Sequence, residues 1–384
     1  MSQQIPYNLL NDDLSSFEDH APPFVTFGET MLRDTPADSE RLERTRQVWI
    51  SLAGSELSVA MMLSRLGIPS AYITRLPDNP YGWLLRNIAR EQGVDCSHFV
   101  WADKTEPVGR YLYEIGRTPR VSAGWYQRKY SAASQLGAGM VDWGSALREA
   151  RLLHVTGISF GLSAHSGYER NYLLEAFHEA IQSKPPGCLV GMDFNYRSTL
   201  WTLPECKQVM TPLLTEHADI LITTVEDMVR FYDLRCGTVN LAMLERAETS
   251  HISDHDLGEL MEQVIELFGL QVVALTLRHA ESQEIHRWES AALDSAGHFS
   301  RSSSPSPVVL WDRLGGGDAW TGGFYYGLLT EASLEDKLHK GILVGDAATR
   351  LKQTLMFDLP IISRQEIQAL LKSDFEGGGR QVSR

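Results

Sequence analysis

The sequence predicts an open, doubly wound α/β fold on a mostly parallel sheet flanked by helices, with a small second sheet beside it. Three observations carry that expectation. Strand-like and helix-like runs alternate along the first hundred residues, the rhythm of parallel βαβ units. Four later stretches, ARLLHVTGISF, CLVGMDFNY, ADILITTVED and LQVVALTLRH, are almost continuously apolar, as strands covered on both faces must be. Each runs out into polar residues or glycine, at the end where such sheets place ligands. Between about 100 and 135 the rhythm gives way to alternating segments that suit antiparallel strands outside the main sheet.

Taken in order, FVTFGE at 24–29 reads as a buried first strand, followed by a mixed, polar segment. SELSVAMMLSRLGIPS has helical spacing and Gly67 as its C-terminal stop, AYITRL is the next strand, and NPYGWLLRNIAREQGV is a helix closed by Gly93. GRYLYEIG and RVSAGWYQRKYSA alternate and are joined by the turn-like GRTPR, after which the four apolar strands follow. The start, residues 1–23, reads as a mobile leader and the Gly-rich end, 373–384, as disordered, leaving one domain over 24–372.

Composition narrows the chemistry. A formal charge of −14 and the lack of any Lys/Arg run argue against nucleic acid, although a few local arginines leave a small anionic ligand open. No apolar run approaches the roughly 20 residues that cross a bilayer. Cys96, Cys188, Cys206 and Cys236 are scattered without C-x-x-C spacing, which suits free thiols in the cytoplasm. The 12 histidines show no H-x-x-x-H or carboxylate clustering, so no dedicated metal cage is expected.

The most informative stretch is LWDRLGGGDAWTGGFYYGLL, residues 310–329. Gly315, Gly316 and Gly317 have the character of a loop entering a helix, where exposed N–H groups and the helix dipole attract an anion. Asp318 stands at the same helix start. A carboxylate there repels a phosphate unless it has another task, and taking a proton from an attacking hydroxyl is such a task. On spacing alone, an ordinary N-cap aspartate is an equal reading.

DRLGGGDAWTGGFYYGLL closely resembles the D-T-x-G-A-G-D-A-F signature of the ribokinase-like (PfkB-type) sugar kinases, in a form associated with bacterial 2-keto-3-deoxygluconate kinases. The resemblance implies that fold, Asp318 as the base, and Gly315, Gly316 and Gly317 as the amides that stabilise the transferring phosphoryl group. LAGSELSVAMMLSRLG resembles the family's first signature, with Ala53 and Ser58 as departures; it puts Gly54 and Ser58 at the sugar. The segments at about 30–50 and 105–135 become a β lid carrying Tyr111, Tyr126 and Arg128 towards the substrate, an ordinary solvated face being the other reading. GMDFNYRSTLW resembles the D-x-N-x-R-x-x-L-W motif, in which Asp193, Asn195 and Arg197 share one side of an extended segment. Arg197 and Arg128 together are expected to grip a carboxylate, against the alternative that each pairs with a surface acid.

For the nucleotide, the resemblance offers Asn195, Thr276 and Arg278, although the segment VVALTLRHAESQEIHRW lacks the G-x-x-G of many relatives. Thr224 replaces the asparagine of the N-x-x-E/D element, with Glu226 and Asp227 as candidates near magnesium, which is expected to arrive with ATP. Lys352, in GDAATRLKQT, is expected to be a solvated surface lysine. The expected activity is ATP-dependent phosphorylation of a 2-keto-3-deoxy sugar acid by a homodimer joined through its lids. The alternatives are a kinase for a neutral sugar such as fructose, ribose or a nucleoside, and a non-catalytic sugar- or nucleotide-binding relative.

Overall fold

The computed structural model describes every residue except 1–9, 11, 13, 15–20, 38–39, 238, 246–251, 303–305, 332 and 377–384. Its strands in chain order are β1 (Phe24–Phe27), β2 (Met31–Pro36), β3 (Val48–Ala53), β4 (Ser70–Ile73), β5 (Arg75–Pro77), β6 (Val100–Ala102), β7 (Arg110–Glu114), β8 (Ala123–Gln127), β9 (Leu152–Thr156), β10 (Leu189–Asp193), β11 (Ile220–Thr224), β12 (Val272–Ala280), β13 (Ile285–Asp294), β14 (Phe299–Arg301) and β15 (Val308–Val309). The helices are α1 (Ser55–Arg65), α2 (Pro80–Glu91), α3 (Trp143–Ala146), α4 (Gly157–His165), α5 (Tyr172–Ser183), α6 (Leu203–His217), α7 (Val225–Tyr232), α8 (Leu241–Glu245), α9 (Asp254–Phe268), α10 (Gly316–Thr330), α11 (Leu334–Lys352) and α12 (Arg364–Glu376).

The main sheet has the order β14-β13-β12-β11-β10-β9-β1-β4, with β15 added to β13. The strands from β12 to β4 pair in parallel, and β13, β14 and β15 form an antiparallel edge. Because side chains alternate along a strand, Val25, Phe27, Leu153, Val155, Val190 and Met192 enter one apolar core, while Phe24, Leu152, Ile220, Ile222 and Val272 enter the other. Two buried faces explain why these strands read as unbroken apolar runs. Each fully buried Leu or Phe contributes about 1.5–3 kcal/mol to holding the helices against the sheet.

β1 lies between β4 and β9, so the chain leaves β1 to one side and returns on the other. The loops after β1 and β9 therefore diverge and open a crevice at the C-terminal ends of the strands. The small residues within TGGFYYGLL let α10 lie directly on α11: a Cβ on Gly327 would fall 2.3 Å from the Gly341 nitrogen, and one on Gly323 2.7 Å from the Gly345 Cα.

The second sheet has the order β3-β2-β7-β8, in which β2 and β7 are parallel and the outer pairs antiparallel. Its inner side is a small core of Met31, Ala53, Tyr111, Tyr113 and Ile115. The segment with the TLR element forms the long antiparallel β12–β13 pair. Lys352 is a correction to the sequence reading: it is fully buried, and its Nζ donates to the Asp312 carbonyl at 3.3 Å.

Most of the expected mobile leader lies outside the described residues. Of those described, Leu10 is buried, and Asp12 accepts from the Tyr326 hydroxyl and, at 2.7 Å, from Lys340 Nζ. The expected disordered tail begins inside α12, which runs to Glu376, and the rest of it lies outside the described residues. All four cysteines are free, and no helix among the described residues is long and apolar enough to cross a membrane.

Candidate active site

Each of the three glycines before α10 answers a different demand. Gly315 caps the helix in the left-handed region at φ 75°, and a Cβ there would lie 2.0 Å from the Asp358 carbonyl oxygen. At Gly316 it would lie 2.8 Å from Gln353 Nε2, whereas at Gly317 it would meet nothing within 4 Å. The first two are fixed by conformation and packing. The third faces a cleft of about 330 Å³, bounded on its other sides by Asp193, Arg197, Thr224, Thr276 and Arg278. Backbone N–H groups at the start of a 15-residue helix thus face an open, partly polar space, a ready anion site.

Asp318 sits on the first turn of α10 at the edge of this space. Ser55, the first residue of α1, donates from its hydroxyl to Asp318 Oδ1 at 2.6 Å, and Asn195 Nδ2 donates to Ser55 Oγ at 3.1 Å. Burial pushes the Asp318 carboxyl up to about 7, a rise that Asp358 and Glu56 add to and that the Ser55 hydrogen bond and the Arg197 charge oppose. A carboxyl tuned near neutral pH and open to a cleft suits a general base. Asp193 at the end of β10 is pushed up to about 8 by burial and by Asp318, and Asp227 up to about 6 by burial. Asn195 follows with φ 38°, a conformation rare for a residue with a side chain, held by a hydrogen bond from its own N–H to Asp193 Oδ1 at 3.1 Å.

The structure gathers many of the expected site residues and separates others. Asn195, Arg197, Thr276, Arg278, Glu226 and Asp227 line one cleft with Gly315, Gly316, Gly317 and Asp318. Thr224, at the end of β11, is the register partner of Thr276 in the middle of β12. Glu226 is paired with Arg230 at 2.6 Å, and Thr224 donates to Asp227 Oδ2 at 2.9 Å while capping α7.

Arg128 and Arg197 do not converge. Arg128 is buried and donates to Glu29 Oε2 from Nε at 2.8 Å, and Ser131 donates to the other oxygen at 2.6 Å. Arg197 is exposed in the cleft, donating to the Tyr196 carbonyl at 3.0 Å. Tyr126 stacks on Tyr111 at 5.1 Å, and the Tyr111 hydroxyl donates to Asp358 Oδ1 at 2.7 Å. Gly54 is required by packing, since a Cβ would lie 2.7 Å from the Glu29 carbonyl oxygen. The Ser58 hydroxyl is buried in α1 with no partner among the described residues.

Several residues of the cleft and its supports were not singled out from the sequence. Ser55 is adjacent to Gly54 in the first signature, a position that could have drawn attention to it. Arg313 lines the cleft beside Arg278 and lowers that residue's hold on its proton, after burial. His286 is pushed down to about 4 by burial and by these two arginines. A pocket in which two guanidiniums crowd together fits an anion of high charge such as a triphosphate.

The model for the pfkB family of carbohydrate kinases matches residues 23–253. The chain is 27% identical to the 2-dehydro-3-deoxygalactonokinase of Haloferax volcanii over 358 residues, covering 92% of this chain and 98% of that one. It is 23% identical to a 5-dehydro-2-deoxygluconokinase of Clostridium botulinum over 361 residues, covering 94% and 96%. The crystal structure of the 2-dehydro-3-deoxygluconokinase of Thermotoga maritima superposes with a TM-score of 0.78 at 28% identity, covering 92% of this chain and 99% of that one. The family model spans more than half of the chain, and the chain belongs to the pfkB family of carbohydrate kinases as a sugar kinase.

Proposed function

We propose that the protein transfers the terminal phosphoryl group of ATP to a hydroxyl of a 2-keto-3-deoxy sugar acid, with 2-keto-3-deoxygluconate as the first choice. The observation that carries the reading is Asp318, hydrogen-bonded to Ser55 and tuned to about 7 at the edge of a cleft that Gly317 leaves open. The names of the Haloferax and Thermotoga relatives support the substrate class. Arg197, an exposed guanidinium of the cleft, is the partner for the sugar's carboxylate.

In this reading Gly315, Gly316 and Gly317 direct their amides at the transferring group, and Arg278 and Arg313 hold the phosphates behind it. Asp318 accepts the hydroxyl proton late, as a loose transition state requires only a weak base. Asn195 and Ser55 hold the Asp318 carboxylate in place. The lid strands cover the sugar and exclude water that would otherwise hydrolyse ATP.

The site also fits magnesium brought by the nucleotide. Asp227 and Asp193 line the same cleft with pKa values pushed up to about 6 and about 8, carboxyls that a nearby cation would help to ionise. Magnesium held there with the nucleotide would supply charge neutralisation. Trp49, Ile50 and Trp125 stand about half exposed on the outer lid strands β3 and β8, the face we assign to a second copy of the chain. Free thiols accord with a cytoplasmic location.

A neutral sugar is the second reading, favoured by the Arg128–Glu29 pair, which leaves one guanidinium where two were expected. ATP turnover with magnesium across 2-keto-3-deoxygluconate, its galactonate epimer, fructose, ribose and adenosine tests the choice. The proposal expects activity on the acids and little on the rest. Equal or greater activity on fructose, ribose or adenosine refutes the acidic substrate.

A further inference from the structure

A buried charge network joins the lid to the glycine loop, and the reading above makes no use of it. At its centre is Arg33 on β2, whose side chain has no exposed surface. Its Nη2 reaches Asp312 Oδ2 at 2.5 Å, its Nη1 reaches Asp358 Oδ1 at 2.6 Å, and its Nε donates to Thr35 Oγ1 at 2.9 Å. The guanidinium also lies over the rings of Tyr113 at 4.5 Å and Phe357 at 5.5 Å.

Both aspartates adjoin the glycine loop, Asp312 through its carboxylate and Asp358 through its backbone. Asp312 begins the DRLGGGD stretch, and its side chain also accepts the backbone N–H of Leu314 at 3.1 Å and of Phe357 at 3.2 Å. The Asp358 carbonyl oxygen occupies the place a Gly315 Cβ would need. Phe357, between these anchors, is held at φ 70°, which an aromatic residue adopts only when its neighbours impose it. The lid grips the same point twice, since Tyr111 of β7 donates to the Asp358 oxygen that Arg33 holds. A planar guanidinium shared by two carboxylates in a dry site has few alternative geometries. The lid strands are thus tied through Arg33 and Tyr111 to two aspartates that adjoin the glycine loop.

We propose that Arg33 is a positioning residue that makes the phosphate-facing glycine loop depend on the lid: the amides are in register for transfer only while β2 and β7 hold Asp312 and Asp358. This rests on the reading of Asp318 as the base of a phosphoryl transfer. A charge pair that served folding alone would alter the unfolding temperature and leave the turnover of folded protein unchanged. A positioning role lowers kcat in protein that is still folded and still binds.

The test uses Arg33→Lys, which keeps the charge but not the fork, and Asp358→Asn, which keeps the shape and leaves Arg33 paired with Asp312. Both are compared with wild type for kcat, for KM of ATP and of a sugar that wild type phosphorylates, and for thermal unfolding. The expected result is a loss in kcat of roughly ten- to a hundredfold in both variants, with each KM within about threefold and unfolding above the assay temperature. A kcat within twofold of wild type in either folded variant overturns the proposal. So does failure of both variants to fold, which would assign the network to stability. A wild type silent on every sugar sinks the functional reading, and this inference with it, before any variant is compared. An active wild type with unaffected variants sinks this inference alone.

Discussion

Removing the Ser55 hydroxyl should move the pH profile of the enzyme without altering its fold. The hydroxyl donates to Asp318 at 2.6 Å and lowers that carboxyl's pKa, which nonetheless stands at about 7. A hydrogen bond to a charged group contributes about 1.5–3 kcal/mol, and 1.36 kcal/mol corresponds to one pKa unit. Ser55→Ala should therefore raise the carboxyl by roughly one to two units, to about 8–9. The base must be ionised to act, so at pH 7 the competent fraction falls from about one half to about 1–10%, a loss of roughly five- to fiftyfold. At pH 9.5 most of that loss is recovered. Because the hydrogen bond favours the ionised carboxyl, the unfolding temperature should change little below about pH 6 and fall progressively above it. The assay is kcat/KM for the sugar from pH 5.5 to 9.5, read as the position of the acid limb. A loss equal at every pH, or a limb that stays in place, would refute the assignment of Ser55 as the group that tunes the base.

Two further outcomes follow from the same site. Gly317→Ala should separate stability from activity: its Cβ meets no atom within 4 Å, and Ala within a helix gains about 0.5–1 kcal/mol over Gly, yet the methyl group enters the phosphate space. Thermal unfolding should rise slightly while kcat/KM for ATP falls at least tenfold. The Asp193 carboxyl is raised in the fold to about 8, so its contribution to stability is fully present below the unfolded value near 3.8 and is lost as pH climbs through the folded one. Asp193→Asn removes that loss, and the variant should gain on wild type in unfolding free energy, by up to about 4 kcal/mol between pH 5 and pH 9. A constant difference across that range would show that the carboxyl is not held protonated.

What the sequence disclosed and what it withheld divide along physical lines. The apolar runs of β9 to β12 were legible because a strand covered on both faces has one composition available to it. Gly315 was legible as a loop glycine because the close approach of the Asp358 carbonyl admits no other residue there, whereas Asp318 was singled out by a resemblance, its spacing leaving an N-cap reading equally open. The pairings of charges were not. Arg33 meets Asp312 and Asp358 across 279 and 325 residues, and Arg128 meets Glu29 across 99, partnerships that only the fold decides. The expected clamp of Arg128 with Arg197 assumed that a lid arginine would be free. Lys352 read as a solvated surface residue because that is the default for a lysine, yet it is buried against the Asp312 carbonyl. Ser55 lay in full view within a recognised motif, but its role depends on the approach of α1 to α10, which no spacing along the chain reports.

The central claim is that Asp318 takes the proton of the accepting hydroxyl. Asp318→Asn keeps the size of the side chain and an oxygen to accept from Ser55, and removes only its ability to act as a base. Steady-state phosphorylation of whichever sugar the wild type prefers, measured beside ADP and sugar affinities by titration calorimetry, is the most direct test. The account predicts a fall in kcat of about 10²–10⁴-fold with both affinities within a few-fold of wild type. A variant that retains more than a tenth of wild-type kcat would contradict it.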